Sequence, residues 1–208
     1  RNILELHEDL PVIQDILRRL TGGEILHDYP ARLRCKNGSI MEVLIDSSGY
    51  FHDGQFVHTR CFTRDVTAQR EAEQATARLA AIVASSADAI VGKTLDGVVT
   101  SWNAAAERIF GYTEQEMVGS SVFRLIPDQL HEAERDLLKK VRRGEAVQFS
   151  ETERIRKDGR RIYIALSVSP ILDAQGRVTG ASSIKRDVTE RRQAREALAQ
   201  SQERLHLA

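Results

Sequence analysis

The 208-residue chain has no apolar run approaching the roughly 18 residues that a membrane span needs. Its opening residues carry no signal-peptide pattern. Net charge is also absent, since 30 Lys and Arg face 30 Asp and Glu. Nucleic-acid binding draws on a basic surface that displaces counterions, so a neutral chain without a basic block points away from it. Cysteine is scarce: Cys35 and Cys61 both fall in strand-like runs, with no CxxC and no Cys/His cluster around them. They read as two reduced thiols, which excludes a disulfide framework or a cysteine-held metal. Apolar residues at 41% and charged residues at 29% are ordinary for a globular protein. Together these absences predict a cytoplasmic protein with no membrane insertion, no metal and no nucleic-acid partner.

What the chain does contain is a repeat. Gly23-Glu24 returns 121 positions later as Gly144-Glu145, and Lys36-Asn37-Gly38 returns as Lys157-Asp158-Gly159 at the same offset. Met41, Val43 and Ile45 return as Ile162, Ile164 and Leu166, also 121 apart. After one inserted residue Gly54 matches Gly176, and Arg64-Asp65-Val66-Thr67 matches Arg186-Asp187-Val188-Thr189, at 122.

Each copy reads as a helix followed by three strands. Leu10, Ile13, Ile16, Leu17 and Leu20 follow the helical period in the first copy. Leu130, Ala133, Leu137 and Val141 follow it in the second, and both helices end at glycine. In the second copy Val147–Lys157 turns at Asp158-Gly159 into Arg161–Ile171, where Ile162, Ile164, Leu166 and Val168 alternate with Tyr163, Ala165 and Ser167. A turn at Asp173–Gly176 leads into Arg177–Arg186. A helix on an antiparallel meander is an α+β architecture. The second copy has more before its helix. Residues 89–93 and 98–102 read as a hairpin around Asp96-Gly97. Asn103 N-caps a short helix, Ala104–Phe110, that Gly111 closes, and Thr113–Glu116 forms a capping box. The first copy has no counterpart to this stretch, so it is expected to lack the N-terminal half of the domain.

A polar helical segment follows each copy. Ala72, Thr76, Leu79 and Val83 stand at the same distances from Thr67 as Ala194, Leu198, Ser201 and Leu205 do from Thr189, in a 4-3-4 spacing. That is the seam of a coiled coil, which predicts a homodimer paired through these helices. Asp65 and Thr67, like Asp187 and Thr189, fall at strand-to-helix junctions, where Thr can cap the helix and Asp can oppose its dipole. The expected division is 1–67 for the C-terminal half of a first domain, 68–85 for a helical linker, 86–189 for a complete second domain and 190–208 for a C-terminal helix.

Trp102-Asn103-Ala-Ala-Ala-Glu-Arg-Ile-Phe-Gly111-Tyr112 with Glu116-Met-Val-Gly119 resembles the N-terminal half of a PAS domain. Arg156-Lys157-Asp158-Gly159, Ser169-Pro170, Gly176, Gly180 and Asp187-Val188-Thr189 resemble its C-terminal half, which returns within residues 1–67. The resemblance implies a five-stranded antiparallel sheet with helices on one face and a pocket between them able to hold a small molecule. It implies a sensory segment ahead of an output domain, most often a histidine kinase of a two-component phosphorelay. Other readings are the input module of a cyclic-di-nucleotide enzyme and a ligand-free interaction scaffold. In such domains Asp65, Thr67, Asp187 and Thr189 would couple core to exit helix.

No catalytic set emerges. Gly92-Lys93-Thr94 lacks the earlier glycine of a phosphate-binding loop, because Ala87 stands there. His131-Glu-Ala-Glu-Arg135 has Arg where a zinc-protease helix needs its second His. His7-Glu8 faintly resembles a phosphoacceptor box, but these residues read as the opening of the first helix. The flavin photosensors of the resembled family carry a cysteine near Ser120–Leu125, and none is present. Their haem sensors carry an axial His on the long helix; His131 falls about one turn early and reads as solvent-facing, and Ser150 stands where the distal Arg would be. Trp102 is the one hint of a bound flavin. The expectation is a non-enzymatic segment with no tight haem or flavin, whose pocket is lined by Leu137, Val141, Phe149, Ile164, Leu166 and Val168.

Overall fold

The computed structural model describes residues 7–206, apart from the side chains of Phe149, Ser150, Ser201 and residues 203–206. The chain divides into two compact units, with the boundary between Arg78 and Leu79.

In the first unit helix α1 (Leu10–Thr21) precedes strands β1 (Ile25–Arg34), β2 (Ile40–His52) and β3 (Gln55–Asp65), which form an antiparallel sheet in that order. Pro11 lies in the first turn of α1, where its missing N–H costs nothing. Ile13, Ile16 and Leu20 pack on Leu26, Ala31, Val43 and Ile45. Leu10, assigned to this stripe by its spacing, is 55% exposed, because α1 begins there and its first turn overhangs the sheet. His7 and Glu8 do not open the helix. His7 bridges Leu33, and Glu8 donates its N–H to the Arg32 carbonyl at 2.9 Å, so both extend the sheet ahead of the Asp9 N-cap. Cys35 lies in the turn after β1, where its N–H bonds Ser39 O at 2.8 Å, and only Cys61 is in a strand. Helix α2 (Thr67–Ser85) follows, and none of its residues is buried.

The second unit is built on a five-stranded antiparallel sheet. Its strands are β4 (Ala89–Lys93), β5 (Val99–Trp102), β6 (Val147–Ile155), β7 (Arg161–Leu172) and β8 (Val178–Asp187), in the order β5-β4-β8-β7-β6. Helices α3 (Ala104–Phe110) and α4 (Glu114–Met117), two short 3-10 turns and α5 (His131–Arg142) cover one face, and α6 (Thr189–His206) leaves from the end of β8. The apolar core joins Phe110, Met117, Leu125, Leu137 and Val141 to Val91, Ile164, Leu166 and Val168. A Cβ on Gly180 would come within 2.8 Å of the Lys93 carbonyl, so this glycine permits the close pairing of β4 with β8.

Asn103 is the hinge of the helical cap. Its Oδ1 accepts from Ala106 N and Ile90 N, each at 3.0 Å, and its Nδ2 donates to Val83 O at 3.0 Å and Asp88 O at 3.1 Å. All four hydrogen-bonding positions of the amide are used. Asn103→Ala removes the cap and takes the side-chain acceptor from Ile90 N–H, while Val83 O and Asp88 O keep the hydrogen bonds they accept from Ser86, so we expect a loss of about 2 kcal/mol in urea unfolding. A loss under about 0.5 kcal/mol would mean that water replaces the amide without penalty.

The element order helix, three strands, helix occurs in both units, with α1 and α5 starting 121 residues apart and α2 and α6 starting 122 apart. The antiparallel α+β architecture agrees with the sequence expectation.

Candidate functional site

The inner face of the second sheet is not wholly apolar. Period-two alternation puts Ala89, Val91 and Lys93 of β4 on that face, with Ala181, Ser183 and Lys185 of β8 and Arg154 of β6. Helix α5 lays Glu134, Leu137, Leu138 and Val141 over it, the i, i+3, i+4, i+7 stripe of a helix. Lys93, Glu134, Arg154 and Lys185 are all at least 96% buried. Glu134 Oε1 receives Lys93 Nζ, and Oε2 receives an Arg154 guanidinium nitrogen at 3.2 Å. Arg154 also donates to Thr152 Oγ1 at 3.1 Å and to Glu153 O at 2.7 Å. Lys185 Nζ donates to Ser183 Oγ at 2.6 Å, and Ser183 donates to Val91 O at 3.0 Å.

Electrostatics follow from this packing. Burial pushes the Glu134 carboxyl upward, but the charges of Lys93 and Arg154 and the Lys93 hydrogen bond outweigh it and leave the group below its ordinary value. Burial lowers Lys185 well below its ordinary 10.5, and the charges of Lys93 and Arg154 lower it further. The unfolded chain therefore binds a proton on Lys185 at pH values where the folded chain does not. Stability from this group falls as pH drops below 10.5 and recovers as pH rises towards it. Lys185→Met removes the effect, so the variant should exceed wild type in stability by more at pH 7 than at pH 10 in parallel urea titrations. An equal difference at both pH values would show that the folded amine holds its proton throughout.

A cavity of about 40 Å³ lies against this cluster, lined by Glu134 and Arg154 together with Leu130, Ala133, Leu137, Thr152 and Leu166. Of the expected pocket residues, Leu137 and Leu166 line it. Val141, Ile164 and Val168 are buried in the closed core, and the Phe149 side chain lies outside the described residues. Trp102 is held in the core, its Nε1–H donating to Tyr112 O at 3.0 Å. His131 is partly exposed. Its Nε2 lies 2.9 Å from Ile126 O, its ring meets Phe123 edge-on at 5.1 Å, and it does not line the cavity. Gly92 and Lys93 of the Gly92-Lys93-Thr94 stretch end β4 rather than forming a phosphate-binding loop, and the lysine is committed to Glu134. Among the described residues no group of His, Cys, Asp and Glu is placed to hold a metal ion. Within the same residues no helix is long and apolar enough to cross a membrane.

The second feature is the strand-to-helix junction. Thr67 N–H donates to Asp65 Oδ1 at 2.9 Å and its hydroxyl donates to the same atom at 2.6 Å. Thr67 Oγ1 accepts the Glu42 N–H at 2.9 Å, and Val66 N–H donates to Glu42 O at 2.9 Å. The other junction repeats three of these four bonds: Thr189 N–H donates to Asp187 Oδ1 at 2.9 Å, Tyr163 N–H to Thr189 Oγ1 at 3.0 Å, and Val188 N–H to Tyr163 O at 2.9 Å. The sequence assigned the cap to Thr; the structure reverses the roles. Asp caps the first helical N–H, and the Thr hydroxyl ties the helix to the neighbouring strand. The Thr67 hydroxyl and then its N–H hold Asp65 below the ordinary aspartate range. One turn on, Arg70 pairs with Glu42 at 2.9 Å, and the Arg192 guanidinium stacks 4.0 Å from the centre of the Tyr163 ring.

The family model of the PAS fold matches residues 77–188, more than half of the chain, and the chain belongs to that family. A PAS domain of a protein from Colwellia psychrerythraea superimposes with a TM-score of 0.52 at 26% identity, over 56% of this chain and 98% of that one. The PAS domain of an HTR-like protein from Haloarcula marismortui gives 0.50 at 23% identity, over 58% and 97%. An RNA-binding light-oxygen-voltage receptor gives 0.52 at 15% identity, over 96% of this chain and 89% of that one, a likeness of fold alone.

Proposed function

We propose that this chain is a sensory segment of a larger signalling protein, in which two PAS modules in tandem pass the state of their cores to an output domain along helical linkers. PAS domains are in general sensory modules of signalling proteins. The observation that carries this reading is the junction built twice. At Asp65-Thr67 and at Asp187-Thr189 one hydroxyl binds the start of the neighbouring strand to the first turn of an outgoing helix. A shift of β2 or β7 against its neighbours moves that helix. The first unit, on this reading, is the C-terminal half of a PAS fold. The output domain is a histidine kinase of a two-component phosphorelay, and this segment is itself non-catalytic.

The helices offer the means of assembly. Leu79, Ile82 and Val83 on α2 are 66%, 58% and 39% exposed, and Leu198 on α6 is 61% exposed. Apolar groups in a regular stripe on polar helices suit a parallel homodimer with Ala72, Thr76, Leu79 and Val83 as one seam and Ala194, Leu198, Ser201 and Leu205 as the next. Light scattering at high micromolar concentration should give twice the chain mass for wild type and the single-chain mass for a Leu79→Glu, Leu205→Glu double variant. A monomeric wild type refutes pairing.

A further inference from the structure

Charge is out of balance inside the second unit. Lys93, Arg154 and Lys185 are each no more than 3% exposed, and among the described residues Glu134 is the one carboxylate placed with them. Both Glu134 oxygens are engaged, by Lys93 and by Arg154. Among the described residues Lys185 has one acceptor, Ser183 Oγ, for an amine that offers three N–H donors when charged. Ser183 spends its own hydrogen on Val91 O. A buried cation without a counter-charge is strongly unfavourable, so the core is poised to gain a negative charge.

The cavity is where that charge can enter. It lies against Arg154 and Glu134, and Leu166, the cross-strand partner of Lys185, forms part of its wall. Ala133 and Thr152, which are not buried, stand at its outer side. A water needs roughly 10–15 Å³ of such space, so about 40 Å³ holds a group of three or four heavy atoms. The wall is polar at Arg154 and Thr152 and apolar at Leu130, Leu137 and Leu166.

We propose that this cavity is the ligand site of the second unit and that it takes a monocarboxylate the size of acetate, with four heavy atoms, its carboxylate directed to Arg154 and its methyl end to Leu137 and Leu166. The ligand brings the missing negative charge, and its arrival lets Lys185 take up a proton. The proposal rests on the reading of the second unit as a sensory core, and it supplies the chemistry of what is sensed.

The probe is sodium acetate, with propionate, nitrate and chloride compared at equal ionic strength. Acetate should raise the Tm of the second unit by about 10 °C at ~100 times Kd, above the chloride baseline, and propionate, one heavy atom larger than the space holds, should raise it less. Calorimetry in two buffers of different ionisation enthalpy should show about one proton taken up per acetate bound. Lys185→Met should lose the proton uptake, and Arg154→Met should lose the binding; if Arg154→Met fails to fold, the Lys185→Met result decides. Equal Tm in acetate and chloride overturns the proposal. So does acetate binding without proton uptake, or a nitrate response equal to that of acetate. None of these outcomes bears on the seam or the junction, whose tests use no ligand.

Discussion

Glu134→Ala lowers the stability of the second unit by about 3–5 kcal/mol, the usual consequence of removing one partner from a buried ion pair. The carboxylate is 4% exposed and is the direct partner of Lys93 and Arg154, which are buried as deeply. Without it both cations face a core with no counter-charge. The effect should depend on pH with a definite sign. The folded carboxyl lies below its ordinary 4.5, so its contribution is complete above that value and is lost as pH falls through the folded value. The difference between wild type and Glu134→Ala in urea unfolding should therefore be full at pH 7 and shrink in strong acid. A cost under about 1 kcal/mol at pH 7 would mean that water reaches Lys93 and Arg154 and solvates them.

Leu166→Ala costs about 2–5 kcal/mol. Leu166 is 4% exposed in the middle of β7 and packs beneath α5. It also lines the existing cavity, so truncation enlarges a space that already has polar walls. Water entering beside Arg154 offsets part of the lost packing, which favours the lower half of the range. A cost below about 0.5 kcal/mol would mean that the strand presents its other face to the core.

Much of this fold was legible because it rests on period and repetition. The alternation of Ile162, Ile164, Leu166 and Val168 marks the buried face of a strand, and these residues are buried. The turns at Lys36-Asn37-Gly38 and Lys157-Asp158-Gly159 require a residue at positive φ, and Gly38 and Gly159 adopt φ of 86° and 81°. The charged core was not legible by the same logic. Lys93, Glu134 and Lys185 are residues that burial normally excludes, so a reading by hydropathy assigns them to the surface. The α5 stripe was accordingly placed through Ala133, which is exposed, rather than through Glu134 one position on. A signal was present. Leu137, Leu138 and Val141 share a face with position 134, and Lys93 continues the alternation of Ala89 and Val91. The junction was found by repetition, but its roles were inverted. Sequence shows which residues stand at a helix start and not that a strand N–H lies within reach of a hydroxyl, since Tyr163 is far from Thr189 in the chain.

The relay from core to exit helix is tested most directly by amide hydrogen exchange along residues 190–200 of α6, in wild type and Leu166→Ala, each with and without Thr189→Val. If the Thr189 hydroxyl couples β7 to the helix, loosening the core with Leu166→Ala speeds exchange in α6 while Thr189 is present, and Thr189→Val abolishes that response while β7 and β8 remain protected. An α6 that responds equally to Leu166→Ala with and without Thr189 contradicts the account and leaves the junction as a helix cap.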